Sequence, residues 1–552
     1  MARPGHPRPE STRALDEDFV QQCSLAALRE RLPLRWPAPP ETPPSPKLSY
    51  RSCYQYLGWE ELENLDRWKE WDDFDLLLRL LDFSPLRDVL AEQLGWSNTK
   101  GQVPFDPVSL CLLTFWQIIN GWNRAETLRN LSKDRYADYA QLLGFQKGVF
   151  PTEGGLRYFL TTLGNNSTAQ GAVIPVQQGE KTLAVALQQL NQLLAQGVQL
   201  IRDSGVLRPE AWQQALLCPD GQIHNAASRL RCQNVTASCY LPAPRPCPTQ
   251  EKGLRGCDCD SPRCAIACKR ATPWDPQARF VWYTGDNQDD EKDGEGFYGY
   301  RSFPLQLVDL QRRFSITLFD DLRPANQREE VPATALLLQL EKHYPNLHVD
   351  AVAGDAGYGF EVFLHTIYDH LGARRVVNFR HHETDQNQEN WPLRGYDDRG
   401  RPICPYGFSL TFFGFDYQRQ RSKWVCEKSC LKPNAQPKVQ LPDVTYPPPD
   451  CPYLSAEHTH GRIVNLGECF PDGSSRLARD LPVGGPSWKK LYHRARNAVE
   501  GRNATFEAWG FKRLSVYGLP RVTAIVFLAD LLNNLTTMAR LIRQATCAQF
   551  DP

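Results

Sequence analysis

The sequence predicts an α/β protein in which helices flank a mixed sheet, with an all-helical N-terminal domain and cysteine-rich insertions. Three observations support this prediction. Apolar residues between positions 59 and 163 recur at the three-to-four-residue spacing of amphipathic helices. Strand-like runs then alternate with apolar helical stretches between 215 and 380, as in proteins built from mixed layers. Two segments rich in cysteine and proline, 230–275 and 381–485, interrupt that alternation.

The length and net charge of the chain indicate several domains but no particular class of partner. Its 552 residues exceed what one core holds, since a domain takes about 150 residues. Lys+Arg and Asp+Glu both total 63, so only the local distribution of charge can indicate a partner. No apolar run approaches the ~20 residues of a membrane span, and the N-terminus lacks the apolar core of a signal peptide. These features predict an intracellular protein without a membrane partner.

The first two predicted regions differ in composition. Residues 1–55 are rich in proline and poor in apolar side chains, which predicts a disordered leader. Residues 56–170 form the predicted helical domain. Its aromatic stripe is typical of a core, whereas a basic edge would suit contact with DNA phosphates, and both interpretations stay open. That edge consists of Arg124, Arg129, Lys133 and Arg135.

The predicted core begins at residues 180–380. A helix is expected over 182–201, followed by a strand over 215–224 that Pro219 kinks. The remaining expected elements are strands at 280–283, 303–308 and 314–319, a helix at 331–343, a strand within 348–358, a helix at 362–370 and a strand at 375–379. This order predicts antiparallel strands first and βαβ units after them, all in one sheet. Two helices, 488–509 and 520–541, complete the core within residues 486–545.

Acidic side chains stand at the ends of two predicted strands. Asp355 follows a run of small apolar residues that suits a strand covered on both faces, and Gly354 and Gly357 allow a close approach to it. Asp220 ends the strand predicted from residue 215. Carboxylates from separate segments are what metal-assisted phosphoryl transfer requires. The alternative for Asp355 is a turn in which it only caps the next helix.

A third acidic residue lies on a predicted helix. Tyr492, Arg496 and Glu500 share one helical face, so the carboxylate of Glu500 would project beside an arginine. The alternative is an ordinary Arg–Glu surface pair. Basic residues crowd around this helix, which favours a polyanionic partner. They are Lys489, Lys490, Arg494, Arg502, Lys512 and Arg513.

Several motifs together resemble the bacterial insertion-sequence DDE transposases, whose catalytic core is RNase H-like. The motifs are Gly299-Tyr300-Arg301, Gly354-Asp355-Ala356-Gly357-Tyr358, Tyr492 with Arg496 and Glu500, and Val516-Tyr517-Gly518-Leu519. The helical region is similar to that family's N-terminal domain through Phe105-Asp106-Pro107 and Leu143-Gly144-Phe145. The resemblance implies an RNase H-like mixed sheet and a helical domain that binds transposon ends.

The resemblance also implies an activity, which is metal-dependent DNA strand cleavage and transfer at insertion-sequence ends. Asp220, Asp355 and Glu500 would hold two Mg²⁺ ions. The DNA contacts expected on this basis are Tyr492, Arg496, Lys489, Lys490 and Arg502. The partners would be double-stranded DNA at terminal inverted repeats and at the target, bound by a homodimer in the cytoplasm at the nucleoid.

The sequence differs from that family's pattern at several positions. Asp220-Gly221-Gln222 resembles its Asp-Gly-Thr element, but Gln222 replaces threonine, and Asp203 is a second candidate for the first carboxylate. His493 and Glu507 stand where the family usually has tyrosine and lysine. These differences keep a second function open, a catalytically decayed or repurposed DNA-binding protein derived from a transposase.

The cysteines fall into two groups, which favours metal ligation over disulfides in a reducing compartment. Cys404, Cys426, Cys430 and Cys451 match the number of ligands that one tetrahedral Zn²⁺ needs. Cys257, Cys259, Cys264 and Cys268 provide a second candidate set. Zinc at either place is expected to be structural, because full cysteine ligation leaves no open position; the alternative is thiols in loops.

Overall fold

A computed structural model gives the structure of the chain. It describes residues 17–35, 50–54, 64–95, 103–169, 173–186, 190–227, 232–233, 238–239, 275–283, 295–378, 393–454, 459–467, 479–481 and 485–548, with gaps at 53, 179–180, 276, 398, 400, 419–420 and 440–444.

A mixed sheet of five strands lies at the centre of the structure. In chain order the strands are β1 (Ala215–Pro219), β2 (Leu305–Asp309), β3 (Phe314–Phe319), β4 (Val349–Gly354) and β5 (Arg374–Val377). They lie side by side in the order β3-β2-β1-β4-β5. β2 is antiparallel to both β1 and β3, whereas β4 is parallel to β1 and to β5. Since β1 and β4 are parallel neighbours, the residues that follow them meet at one edge of the sheet.

The mixed α/β class is therefore confirmed, and so are the antiparallel strands at 303–308 and 314–319. The prediction of a single sheet is wrong, because the strand at 280–283 lies in a second sheet. The strand predicted over 215–224 is divided at Asp220 and Gly221. Its second half, Gln222–Asn225, pairs with Glu295–Ser302 in another sheet. That sheet also contains Leu322–Pro324 and Arg279–Tyr283, both paired with Glu295–Ser302. The chain thus passes from one sheet to the other at the aspartate.

The prediction of a helix over 182–201 is wrong for the first part of that range. The helix is Asn191–Asp203, and Lys181–Ala186 is instead a strand antiparallel to Val173–Gln178. In that ladder Val185 lies opposite Ile174, and Leu183 lies opposite Val176. The backbone pairing of these two strands therefore takes precedence over the helical spacing of the apolar residues in the sequence.

The prediction of a disordered leader is wrong for residues 17–35. Two short helices form there, Glu17–Gln22 and Leu25–Arg31, and Ser24 caps the second through the amide of Ala27. Phe19, Cys23 and Leu28 are fully buried in the main hydrophobic core. Burial against the rest of the protein supplies the stability that the composition of this segment does not indicate.

Residues 64–169 are helical in the parts that the structure describes. The helices are Leu65–Glu70, Asp73–Leu80, Leu86–Gln93, Pro107–Ile119, Arg124–Leu131, Ala137–Leu142 and Glu153–Ala169. Asp106 caps the start of the buried helix Pro107–Ile119. Its side chain accepts a hydrogen bond from the amide of Val108 at 2.9 Å, and proline occupies the first helical position. Their buried side chains belong to the same continuous core as those of the central sheet.

The two C-terminal helices are Pro486–Ala508 and Leu519–Ala548. The second is long and apolar enough to cross a membrane, but its whole apolar window is buried inside the protein. Its Asn534 side chain bonds both the N–H and the C=O of Thr317 in β3, each at 2.8 Å. It is therefore a core helix, as the sequence predicts.

The other described elements are shorter, and Glu330–Leu337 among them is buried along its whole length. They are helices Pro209–Gln213, Glu330–Leu337, Leu340–His343 and Glu361–His365, short turns at Asp134–Tyr136, Ala356–Tyr358, Thr366–His370 and Ser429–Leu431, and strands Cys232–Gln233 and Ser238–Cys239. The 381–485 insertion contributes a three-stranded sheet of Thr411–Asp416, Arg421–Val425 and Ile463–Gly467, and a pair of Gly395–Tyr396 with Pro402–Ile403.

Gly164 allows the helical region to pack tightly on the last helix. A Cβ atom at this position would lie 1.8 Å from the carbonyl oxygen of Pro520 and 2.8 Å from its Cα. Both are backbone atoms, so Gly164→Ala would force the two helices apart. We expect the free energy of unfolding to fall by about 1–3 kcal/mol, measured by urea denaturation. Gly154→Ala in the same helix meets only Thr152 Oγ1 at 3.7 Å and is the matched control; equal losses in the two variants would contradict this explanation.

Candidate active site

Asp220 stands directly after β1, where two side chains from one helix hold its carboxylate. Arg496 NH1 donates to Oδ1 at 3.0 Å, and Asn503 Nδ2 donates to Oδ2 at 2.8 Å. The two donors are seven residues apart, which is two helical turns, so they lie on one face of Pro486–Ala508. Asp220 itself is only 7% exposed. The helix packs across a face of the sheet through Trp488, Ala495 and Val499, and Arg496 and Asn503 reach the end of β1.

Asp355 follows β4, the parallel neighbour of β1. Its Oδ1 accepts a hydrogen bond from the amide of Gly357 at 2.8 Å, so it does cap the short turn that follows. Burial raises the pKa of Asp355; Arg496 opposes this shift, whereas the charge of Asp220 adds to it. The two carboxylates are thus near enough to repel each other, with the guanidinium of Arg496 acting on both.

Burial lowers the pKa of Arg496, but the charges of Asp220 and Asp355 outweigh that effect and raise it. The side chain therefore stays protonated and neutralises part of the acidic pair. Arg496 bonds Asp220 and acts on Asp355 through its charge, and a cation or a phosphate would exchange with charges of this kind.

No family model matches this chain, and no curated protein matches it.

Asp203, the second candidate for the first carboxylate, is elsewhere. It is the last residue of Asn191–Asp203, and its Oδ1 accepts a hydrogen bond from Gln199 Nε2 at 2.6 Å. It does not follow a strand of the central sheet. Asp220 is therefore the carboxylate that the fold brings to Asp355.

Glu500 lies on the same helix as Arg496 and Asn503, but its side chain is exposed to solvent. The sequence places Arg496, Glu500 and Asn503 on one face, and within that face Glu500 is on the outer side. Among the described residues, no group of three or more His, Cys, Asp or Glu side chains is arranged to hold a metal ion. The structure thus brings Asp220 and Asp355 together and leaves Glu500 at the rim.

Two charged residues beside the aspartates were not singled out from the sequence. Arg301, in Glu295–Ser302, forms an ion pair with Glu329. A Cβ atom on Gly221 would lie 2.6 Å from Arg301 Nε, so the guanidinium covers the backbone next to Asp220. A Cβ atom on Gly357 would lie 2.8 Å from Asp355 Oδ1 and 3.8 Å from Glu329 Oε2. Arg301 appears in the sequence only within a motif, and Glu329 has no local signal.

Arg502, an expected DNA contact, is in the interior. Its side chain is fully buried, and it forms ion pairs with Asp530 at 2.8 Å and Asp320 at 3.3 Å. Its NH1 also donates to Gln222 Oε1 at 2.7 Å and to Asn503 Oδ1 at 3.2 Å. These contacts occupy the guanidinium and connect it to both segments that carry the Asp220 site. A sequence signal for this was present, because Ala495, Val499 and Phe506 share its buried face.

The remaining expected DNA contacts lie near the start of the helix. Tyr492 is partly buried and stacks on Trp488, with ring centroids 4.2 Å apart. Burial raises the pKa of Tyr492, Arg496 lowers it, and Asp355 raises it again, so the ring is close to the acidic pair. Lys489 and Lys490 are exposed on the first turn of the helix. They extend positive charge from the site toward solvent.

The four cysteines of the second insertion are neighbours around its small apolar core, although they are not arranged as a group that could hold a metal ion. Cys404 Sγ accepts a hydrogen bond from the amide of Phe408 at 3.4 Å. Burial raises the pKa of Cys426 to about 11, and neighbouring Cys404, Cys430 and Cys451 add to that shift. Backbone N–H···S bonds and clustered thiols are features that a zinc ion would stabilise. The other candidate ligands, Cys257, Cys259, Cys264 and Cys268, lie outside the described residues.

Proposed function

We propose that this chain is a DNA transposase that cleaves and transfers strands at insertion-sequence ends, with Asp220 and Asp355 as its central carboxylates. One observation carries the proposal, namely two aspartates at the carboxyl ends of adjacent parallel strands that share an arginine from a crossing helix. The antiparallel β1, β2 and β3, followed by parallel β4 and β5, agree with the RNase H-like core that the transposase resemblance implies.

Mg²⁺ is the ion that the proposal assigns to the aspartate pair. This ion takes oxygen ligands and is commonly bound by one or two carboxylates together with substrate phosphates, which suits the pair of Asp220 and Asp355. When bound, Mg²⁺ supplies Lewis-acid polarisation of a phosphoryl oxygen and a more acidic water. Glu500 at the rim would be the third ligand, and Glu329 lies near enough to Asp355 to be its competitor for that role.

The side chains around the acidic pair orient the Asp220 carboxylate and neutralise part of the negative charge. Asn503 fixes one oxygen of Asp220 and Arg496 the other, so this carboxylate keeps one rotamer when a phosphodiester approaches. The guanidinium of Arg496 offsets the repulsion between the acidic pair and a DNA phosphate. Gln222, at the position where the family has threonine, donates to the carbonyl of Asn503 at 3.2 Å and so ties the strand after Asp220 to the helix. The departure at this position thus has a structural role.

The proposed partner is double-stranded DNA, both the terminal inverted repeats and the target, bound by a homodimer in the cytoplasm. The direct experiment incubates the purified chain and Mg²⁺ with the DNA that flanks its own gene. Cuts at inverted repeats are the expected result. Specific binding without cuts in Mg²⁺ or Mn²⁺ would instead favour the alternative, a DNA-binding protein that has lost catalysis. No binding to those repeats would contradict both.

The cysteine cluster completes the proposal as a structural Zn²⁺ site of Cys404, Cys426, Cys430 and Cys451. Binding of zinc by four thiolates is worth on the order of 10 kcal/mol, which is ample for an insertion with a small apolar core. Cys426→Ser is expected to lower the zinc content by one ion per chain, measured by atomic absorption, and to lower the unfolding midpoint. Cys547→Ser, in the last helix, is the control. An unchanged zinc content in Cys426→Ser would remove this site from the proposal.

A further inference from the structure

The two aspartates of the candidate site differ in what holds their carboxylates. Both oxygens of Asp220 accept side-chain hydrogen bonds, one from Arg496 and one from Asn503. The Asp355 carboxylate accepts a hydrogen bond from the amide of Gly357, and no ion pair to it is found in the described part of the chain. Asp355 therefore keeps acceptor capacity for a ligand.

Arg301 lies beside the two aspartates but is paired with a different acidic residue. It belongs to the strand Glu295–Ser302, and its NH2 forms an ion pair with Glu329 Oε1. The two side chains are only 12% and 19% exposed, so solvent screens their attraction little. Nε of the same guanidinium is buried and has no hydrogen-bond partner among the described residues. Arg301 is thus a cation with a donor still available.

The ion pair of Arg301 and Glu329 spans the two loops that carry the aspartates. A Cβ atom on Gly221 would lie 2.6 Å from Arg301 Nε and 2.9 Å from its Cζ, so the guanidinium lies against the backbone that follows β1. A Cβ atom on Gly357 would lie 3.8 Å from Glu329 Oε2 and 2.8 Å from Asp355 Oδ1, so both carboxylates face the same point beside that glycine. The ion pair therefore connects the backbone after β1 with the backbone after β4.

A rigid element supplies Glu329. This residue is the N-cap of Glu330–Leu337, a helix buried along its whole length, and its side chain makes no capping hydrogen bond. The neighbouring Arg328 is paired with Glu330 at 2.6 Å. The Glu329 carboxylate is therefore held in place by the helix and is available to Arg301.

Asp355 is the other carboxylate that Arg301 could pair with. Burial raises the pKa of Asp355, and the charges of Arg496 and Arg301 both oppose that rise. Both oxygens of Asp220 are already bonded, and charge-assisted hydrogen bonds from arginine to a carboxylate are strong. Without Glu329, the guanidinium of Arg301 would therefore turn to Asp355. It would then take the oxygen lone pairs that a cation needs.

We propose that Glu329 is a positioning residue of the acidic site, which keeps the Arg301 guanidinium off Asp355 and so leaves that carboxylate open to a cation. The inference rests on the proposed function, since the cation is the Mg²⁺ assigned to the aspartate pair. Glu329 acts through Arg301, which in its observed place offsets part of the negative charge without occupying an oxygen of either aspartate. The ion pair thereby sets the affinity of the site for cations.

The test measures Mg²⁺ affinity without DNA, from the rise of the unfolding midpoint with Mg²⁺ concentration. Glu329→Gln should weaken Mg²⁺ binding on the order of tenfold, because Arg301 then pairs with Asp355. Arg301→Gln should instead tighten binding by about threefold to tenfold, because a competing cation is removed. The double variant should bind Mg²⁺ within about threefold of the wild type, because the arginine that would block Asp355 is absent.

Glu341→Gln is the matched control, because it removes an exposed glutamate from the next helix, Leu340–His343, and should leave Mg²⁺ affinity unchanged. Unfolding midpoints without Mg²⁺ show whether each variant folds.

Three results would overturn the inference. The first is equal Mg²⁺ affinity in the wild type and Glu329→Gln. The second is a loss in the double variant as large as in Glu329→Gln, which would make Glu329 a direct ligand or a general support. The third is a wild type that binds neither Mg²⁺ nor Mn²⁺, which would also remove the cation assignment. If the affinities follow the expected pattern but the wild type does not cut repeat-end DNA, the inference stands and the catalytic proposal fails.

Discussion

Asp355→Asn is expected to abolish strand cleavage, by at least about 10³-fold, while duplex binding stays unchanged. The substitution keeps the shape of the side chain and its ability to accept the hydrogen bond of Gly357, but it removes the charge that a cation needs. The assay compares cleavage of labelled repeat-end duplexes by wild type and variant in Mg²⁺. Asp203→Asn is the matched control, because that carboxylate is at a helix end and should leave cleavage intact. Residual cleavage within tenfold of the wild type would rule out Asp355 as a metal ligand.

The same variant should be more stable than the wild type near neutral pH. Burial and the charge of Asp220 raise the pKa of Asp355 despite Arg496. A raised pKa contributes stability below the ordinary pKa of aspartate, and this contribution is lost as pH rises through the raised value. Asparagine does not titrate, so the difference in unfolding midpoint should favour the variant at pH 7 and shrink as the pH falls toward 4. Mg²⁺ should raise the midpoint of the wild type more than that of the variant.

The parts of the fold that the sequence predicts well have strong local patterns. β3 and β4 are short runs of apolar residues between turn signals; the ends of β3 match the prediction at 314–319, and β4 lies within the predicted stretch 348–358. The segment 181–186 is a strand where the sequence predicts helix from residue 182, because its apolar spacing fits both periods and only its partner strand decides between them. The helices at 17–31 depend on burial against distant residues, which composition cannot indicate.

The candidate site also contains residues that the sequence predicts and residues that it does not. Asp220 and Asp355 are predictable because each ends a buried strand, and parallel neighbours bring such residues together. Glu329 enters the site through its ion pair with Arg301, a contact between segments far apart in sequence. The basic stretch that contains Arg502 predicts that this residue contacts DNA. The apolar residues on its helical face, Ala495, Val499 and Phe506, place it in the core instead.

Arg502→Ala should be the most destabilising of the substitutions considered, with a loss of about 3–5 kcal/mol in the free energy of unfolding. All donor positions of this buried guanidinium are used: Nε and NH2 contact Asp530, NH2 contacts Asp320, and NH1 contacts Gln222 and Asn503. Truncation leaves two carboxylates inside the protein without their countercharge. Burial already raises the pKa of Asp320, and Asp530 raises it further, even with the arginine present.

Two comparisons separate this explanation from a general effect of truncating a helical residue. Lys490→Ala removes an exposed cation from the same helix and should change stability by no more than about 0.5 kcal/mol. Adding Asp530→Asn to Arg502→Ala should recover part of the loss, because it removes one of the unpaired charges. The loss should also diminish as the pH falls and the carboxylates take up protons. A loss below about 1 kcal/mol that does not change with pH would show that this ion-pair network does not hold the helix against the sheet. Arg502 would then no longer explain how Gln222 and Asn503 keep Asp220 in place.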